Sequence, residues 1–204
     1  MVMIQTHGKT HLTIGAEVPD FNDLRATDGQ RYGLADFDDK LGLVLIFTCN
    51  HCPYAQAYED RLIELAREFL PQGIGFVAIN ANHAEDYLED SFENMVIRAA
   101  SKNFPYPYLQ DETQQVAQAW GAICTPHVFV SARRQLIYQG RIDDSWLEPK
   151  HVQSQELREA LVALLAGQSV AMPETVPMGC SIKWRFQESG NPDRAMARNR
   201  LGRP

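Results

Sequence analysis

Gly42 to Pro53 reads GLVLIFTCNHCP, an unbroken apolar run that ends abruptly in two cysteines three positions apart. Residues 42–48 show no apolar–polar alternation. They suit a strand covered on both faces, as in a parallel sheet layered with helices. Immediately downstream, Tyr54, Tyr58, Leu62, Leu65, Ala66 and Phe69 recur at helical spacing and form one apolar stripe. Pro53 suits the first turn of that helix, where its missing N–H would have no intrahelical partner. Pro71 and Gly73 end the helix, and Ile74 to Asn80, IGFVAIN, predicts a second buried strand. The product is a βαβ unit with a CxxC at its strand-to-helix turn.

Outward from this unit the pattern is less regular. Phe21 to Leu34 carries Asp28-Gly29 between short runs and predicts a hairpin. Phe92, Met95, Val96 and Ala99 make a short stripe after the acidic stretch Glu85 to Asp90, which reads as a polar-faced surface helix. Phe104 to Pro107 breaks it, and Thr113 to Trp120 suits a further short helix. His127 to Ser131 and Leu136 to Gly140 form a second hairpin, although the turn between them contains no glycine. Leu157, Leu161, Leu164 and Leu165 mark a last amphipathic helix, with Ser154 as its cap and Gly167 as its stop.

The composition of 45% hydrophobic and 22% charged residues is that of a globular protein, and 204 residues support one well-buried core with decoration. A net charge of -7 argues against a nucleic-acid-binding body. No run of 18 apolar residues is present, and Met1 to Leu12 lacks the apolar segment of a signal peptide, so the reading is cytoplasmic, without membrane or nucleic-acid partners. From Met172 onward the sequence turns Pro-, Gly- and Arg-containing, and 183–204 is basic but lacks interleaved aromatics. A solvated or chain-packing tail fits it.

Four cysteines are too few for a disulfide scaffold. A thiol attacks as thiolate, and a helix N-terminus supplies unpaired N–H groups and positive dipole to stabilise one. Cys49 and Cys52 stand there, spaced so that one attacks a substrate and the other resolves the mixed disulfide, with Cys49 taken as the attacker. His51 between them either stabilises the thiolate or is a plain polar surface residue. A zinc site would need a second CxxC, and only lone Cys124 and Cys180 remain; a haem attachment would need histidine where Pro53 stands. The reading therefore calls for no cofactor and no metal, although a zinc-holding or partner-binding module stays open as an alternative. Cys124 is either a third redox cysteine or a small buried apolar residue. Cys180 is either inert or a resolving thiol.

The segments FTCNHCPYA (47–55), NFPYPYLQDETQQVAQAWGAICTPHVFV (103–130), YQGRIDD (138–144) and MGCSIKW (178–184) resemble the thioredoxin superfamily, in its peroxiredoxin-like branch of alkyl hydroperoxide reductase/thiol-specific antioxidant type. The resemblance implies an α/β thioredoxin fold over residues 11–170: a mixed central sheet flanked by helices, with an N-terminal β-hairpin and a basic, partly flexible C-terminal extension over 171–204. It implies a cis bond between Thr125 and Pro126, with Pro126 shaping a groove against the CxxC. It implies a thiol-dependent oxidoreductase acting on protein or small-molecule disulfides or peroxides, reduced by a thiol electron donor. In the peroxidase version Cys52 is peroxidatic and Cys49 takes the place of a threonine. That motif's upstream proline falls on Leu45. The activating arginine near Thr125-Pro126 has no counterpart between Arg98 and Arg133, so Arg141 would have to supply it.

Overall fold

The structure, a computed structural model, describes residues 12–185. Asp28-Gly29 turns the chain between β1 (Leu24–Ala26) and β2 (Arg31–Tyr32), with Gly29 at φ +85°. β3 (Gly42–Phe47) leads through the CxxC into α1 (Pro53–Phe69), and Gly73 at φ +85° turns the chain into β4 (Ile74–Asn80). There follow α2 (Phe92–Lys102), β5 (Tyr108–Gln110), α3 (Gln115–Trp120), β6 (Cys124–Thr125), β7 (His127–Ala132), β8 (Gln135–Gly140), α4 (Glu156–Leu165) and β9 (Cys180–Ser181).

Seven strands make one mixed sheet in the order β2-β1-β5-β4-β3-β7-β8. β3, β4 and β5 run parallel, and β7 and β8 add antiparallel on the other side. The expected βαβ unit is thus its centre, and the architecture is the thioredoxin fold. β3 explains its own lack of alternation. Val44 and Ile46 pack with Tyr58, Leu62, Phe69, Leu157 and Leu161 on one face, while Leu43, Leu45 and Phe47 pack with Trp120, Phe129 and Val77 on the other. Both faces are dry, so every position is apolar.

Local expectations failed where tertiary contacts decide. Ser154 does not cap α4: the N-cap is Gln155, without a side-chain bond, and the Ser154 hydroxyl donates to Glu156 instead. The glycine-free turn of the second hairpin is made by Arg133 and Arg134, both left-handed at φ 50° and 62°. That costs roughly 1 kcal/mol per residue. Arg134 offsets part of it with a two-pronged bond to Asp38 (2.9 and 2.7 Å) and with its carbonyl, which accepts from Val18 N–H at 2.8 Å.

The described part of the C-terminal extension packs on the body. Gln139 N–H donates to the Pro173 carbonyl and Thr175 N–H to that of Gln139, each at 3.0 Å. β9 then pairs antiparallel with β6, Thr125 opposite Cys180 and Cys124 opposite Ser181. Ile182 is buried in the second core cluster. The remainder of the basic tail, residues 186–204, lies outside the described residues. Among the described residues no helix is long and apolar enough to cross a membrane.

Candidate active site

The sheet edge after β3 and the first turn of α1 fix Cys49 and Cys52. Cys52 is the N-cap of α1 and Pro53 its first residue, as the sequence indicates. The Thr125–Pro126 bond is cis. The residue that hydrogen-bonds to the sulfurs is Thr125, directly before the cis bond. Cys49 Sγ lies 3.2 Å from the Thr125 hydroxyl, and the Cys52 thiol donates to the Thr125 carbonyl oxygen at 3.0 Å. Thr125 thus brackets both thiols from one peptide unit. Both are buried, Cys49 2% exposed and Cys52 not at all, beneath Tyr54, Trp146 and Cys180. The Tyr54 and Trp146 rings pack together at a tilt of 38°, 4.1 Å apart between centroids. Arg61 holds that cover by donating to the Ser145 and Trp146 carbonyls at 2.9 and 2.7 Å.

Electrostatics separate the two sulfurs. Hydrogen bonding from the Cys49 thiol, working against burial, pushes the Cys52 pKa down to about 5, with help from the Cys180 thiol and the backbone N–H groups of Ala55 and Cys180. The bond to the Thr125 carbonyl favours the protonated thiol, but it is one acceptor against several donors. Cys49 moves the other way. Its bond to Cys52, its burial and the Asp90 carboxylate all raise it, and only the Thr125 hydroxyl opposes them. These influences favour the thiolate on Cys52 over Cys49; the sequence reading takes Cys49 as the attacker. Ultraviolet thiolate absorbance followed against pH should show one midpoint near 5 that vanishes in Cys52→Ser; a first midpoint at the ordinary thiol value would refute this polarity.

His51 is not a plain surface residue. Its Nδ1 lies 2.6 Å from Asp90 Oδ2, and its ring stacks on Tyr87 at 5.1 Å and 9°. Asp90 raises the His51 pKa and so favours the imidazolium beside the dithiol. Asp90, which the sequence reading places only at the end of an acidic stretch, is held by several hydrogen bonds. It accepts from Asn50 N–H at 2.6 Å, from the Asn82 amide at 2.7 Å and from the Asn80 amide at 3.3 Å. Burial works to raise its pKa, but the bonds from His51, Asn82 and Asn50 outweigh it and the carboxyl is lowered. Asn50 is fixed in turn by Tyr108, which donates to its side-chain oxygen at 3.0 Å. The signal available in the sequence was the pair Asn80 and Asn82, polar residues closing an apolar strand.

Cys49, His51 and Asp90 place their donor atoms within 4.8 Å of one another, a metal-like grouping. The Asp90 oxygens are already engaged by four donors, so a cation would have to displace bonds that build the turn. The remaining expected residues divide. Cys124 is buried near Cys52 and Cys180, and burial, first, with those two sulfurs, pushes its pKa up to about 12, as suits an inert thiol. Cys180 is half-buried and packs directly on the cysteine cluster. Arg141 is bound by Glu156 and is not among the groups that stabilise Cys52.

Residues 14–140 match the sequence profile of the AhpC/TSA family. No functionally curated protein matches the chain significantly. Among solved structures it is similar to an uncharacterized conserved protein from Geobacillus kaustophilus, with 39% identity over 87% of this chain and 96% of that one and a TM-score of 0.81. It is similar to a hypothetical protein from Sinorhizobium meliloti 1021 at 34% identity, over 88% and 100% of the two chains, with a TM-score of 0.80. A peroxidoxin from Mycobacterium tuberculosis shares the fold at 22% identity, over 78% and 100%, with a TM-score of 0.60.

Proposed function

Because the chain belongs to the AhpC/TSA family and is a thiol-dependent oxidoreductase, we propose that it is a dithiol–disulfide oxidoreductase working through Cys49 and Cys52, with Cys52 as the attacking thiolate. The observation that carries this reading is the pairing of both sulfurs on Thr125, with stabilising donors gathered on Cys52. The Cys52 thiolate attacks one sulfur of a substrate disulfide, forming a mixed disulfide and releasing the other sulfur as a thiol. Cys49, deprotonated as its neighbour loses charge, then attacks Cys52 Sγ, closes the Cys49–Cys52 bond and frees the second substrate thiol. His51, held protonated by Asp90, supplies a proton to a departing thiolate. A thiol donor in the cytoplasm returns the pair to its reduced state.

A second reading, peroxide reduction at Cys52, is favoured by the same thiolate. It is disfavoured because Arg141, the arginine that reading calls on, is bound by Glu156. One experiment separates the two. Wild type is offered oxidised glutathione or hydrogen peroxide in parallel, with disulfides mapped by mass spectrometry and turnover followed. The expected result is a Cys49–Cys52 disulfide from both oxidants and saturable turnover with the disulfide substrate alone. Rapid, saturable peroxide consumption with sulfenic acid trapped at Cys52 in Cys49→Ser would reverse the ranking. Two free thiols after excess oxidant would remove both readings.

A further inference from the structure

The chain returns from α4 across the sheet and lays residues 173–185 over the dithiol. The approach is close enough to demand glycine: a Cβ on Gly179 would fall 2.1 Å from the Thr125 carbonyl oxygen, and one on Gly140 would fall 2.0 Å from Thr175 Oγ1. Lys183 anchors the far end, its N–H donating to Asn82 at 2.8 Å and its carbonyl accepting from His83 N–H at 2.8 Å. This pinned segment sets Cys180 opposite Thr125, the residue that brackets both active sulfurs. Cys180 packs on the Cys49, Cys52, Tyr54 and Ala55 cluster, and its thiol is among the groups that lower the Cys52 pKa. Cys52 is thus influenced by two thiols, those of Cys49 and Cys180. Cys49, Cys52 and Cys124 are buried, whereas Cys180 is partly exposed.

We propose that Cys180 is the port through which a low-molecular-weight thiol reduces the buried dithiol, by way of a Cys52–Cys180 disulfide. The proposal rests on the Cys49–Cys52 exchange reading. Once the Cys49–Cys52 disulfide has formed, the Cys180 thiolate attacks Cys52 Sγ. The Cys52–Cys180 bond forms and the Cys49–Cys52 bond breaks, its electron pair leaving on Cys49, which takes the proton that Cys180 gave up. An external thiol then attacks Cys180, forms a mixed disulfide there and releases Cys52 as thiolate. A second external thiol frees Cys180 and departs as its own disulfide. Two donor thiols are oxidised and one protein disulfide is reduced.

The surroundings of Cys180 time this exchange. In the reduced protein, burial first, then the hydrogen bond and charge of Cys52, push its pKa up to about 12, while Lys183 pulls it down. Oxidation of Cys52 removes both sulfur contributions and leaves burial opposed by Lys183. Cys180 is thus more readily ionised when there is a disulfide to open than in the reduced protein.

The test uses the full chain. Cys49→Ser treated with oxidised glutathione should yield a Cys52–Cys180 disulfide on mass mapping. Cys180→Ser should still form Cys49–Cys52 on oxidation, but its reduction by glutathione should be slower than wild type by about tenfold or more. Oxidised wild type quenched in acid during reduction by limiting glutathione should carry the glutathione adduct on Cys180, a readout that needs no variant. Reduction of Cys180→Ser at the wild-type rate, unlinked Cys52 and Cys180 in Cys49→Ser, or an adduct on Cys49 or Cys52 would overturn the port while leaving the dithiol reading intact. Failure of Cys180→Ser to form Cys49–Cys52, with a wild-type melting temperature, would remove both.

Discussion

Cys52→Ser is expected to lower disulfide-exchange turnover about a thousandfold or more, to the level of the uncatalysed reaction. A serine hydroxyl does not ionise near neutral pH, so the donors that converge on Cys52 would face a neutral oxygen and no nucleophile would remain at that position. Cys49 is not expected to substitute, because burial and the Asp90 carboxylate still raise its pKa once the contribution of Cys52 is gone. Cys49→Ser should behave differently. Cys52 still attacks, so the substrate adduct forms at close to the normal rate, but steady turnover falls because the resolving thiol is gone. A single-turnover experiment with a labelled disulfide, quenched and mapped, distinguishes the two variants. If Cys52→Ser keeps more than about a tenth of wild-type turnover while Cys49→Ser loses all of it, Cys49 is the attacker and the polarity assigned to the pair is wrong.

Asp90→Ala should cost about 3–5 kcal/mol of stability, the range for breaking a buried charge pair from one side. The carboxylate is 1% exposed and accepts from Asn50, His51, Asn80 and Asn82. Its removal leaves those donors dry and the His51 imidazolium uncompensated. The effect depends on pH with a defined sign. Asp90 has a pKa lowered from 3.8, so its contribution is present above that value and lost as pH falls through the lowered one. His51 has a pKa raised from 6.5, so its contribution is full below that value and lost as pH rises through the raised one. The gap between wild type and Asp90→Ala should therefore be widest between pH 3.8 and 6.5 and narrow on either side. Asp90→Asn keeps the shape, should cost less, and should drop the His51 midpoint in an NMR titration. Denaturant unfolding across this range checks it. A loss below about 1 kcal/mol with an unmoved His51 midpoint would show that the pair carries no weight.

The βαβ unit was legible because both faces of β3 and β4 are dry and the sequence there has no choice but to be apolar. The turn was legible because CxxC followed by proline at a helix start leaves few alternatives. Asp90 was not, since it closes an acidic run, Glu85 to Asp90, whose composition reads as solvated surface. Only the fold turns that one carboxylate inward to meet Asn80 and Asn82. β5 was hidden by Pro105 and Pro107, which read as a break, although Tyr108 to Gln110 pairs with β4 directly after them. β6 and β9 are two residues each and form only because Gly179 lets distant segments touch, a contact that local propensity does not encode. The part Cys180 plays at Cys52 was out of reach for the same reason, because the two residues stand 128 positions apart.

The segment laid over the dithiol is also the last described part of the chain to be made. Synthesis proceeds from the N-terminus, and sheet, α1 and α4 are complete in sequence before Gly179, Cys180 and Ile182 leave the ribosome. For that interval the nascent protein carries its reactive sulfurs without their cover, its Thr125 edge unpaired and its second core cluster missing Ile182. Closing of the redox site therefore waits for the synthesis of residues 179–182.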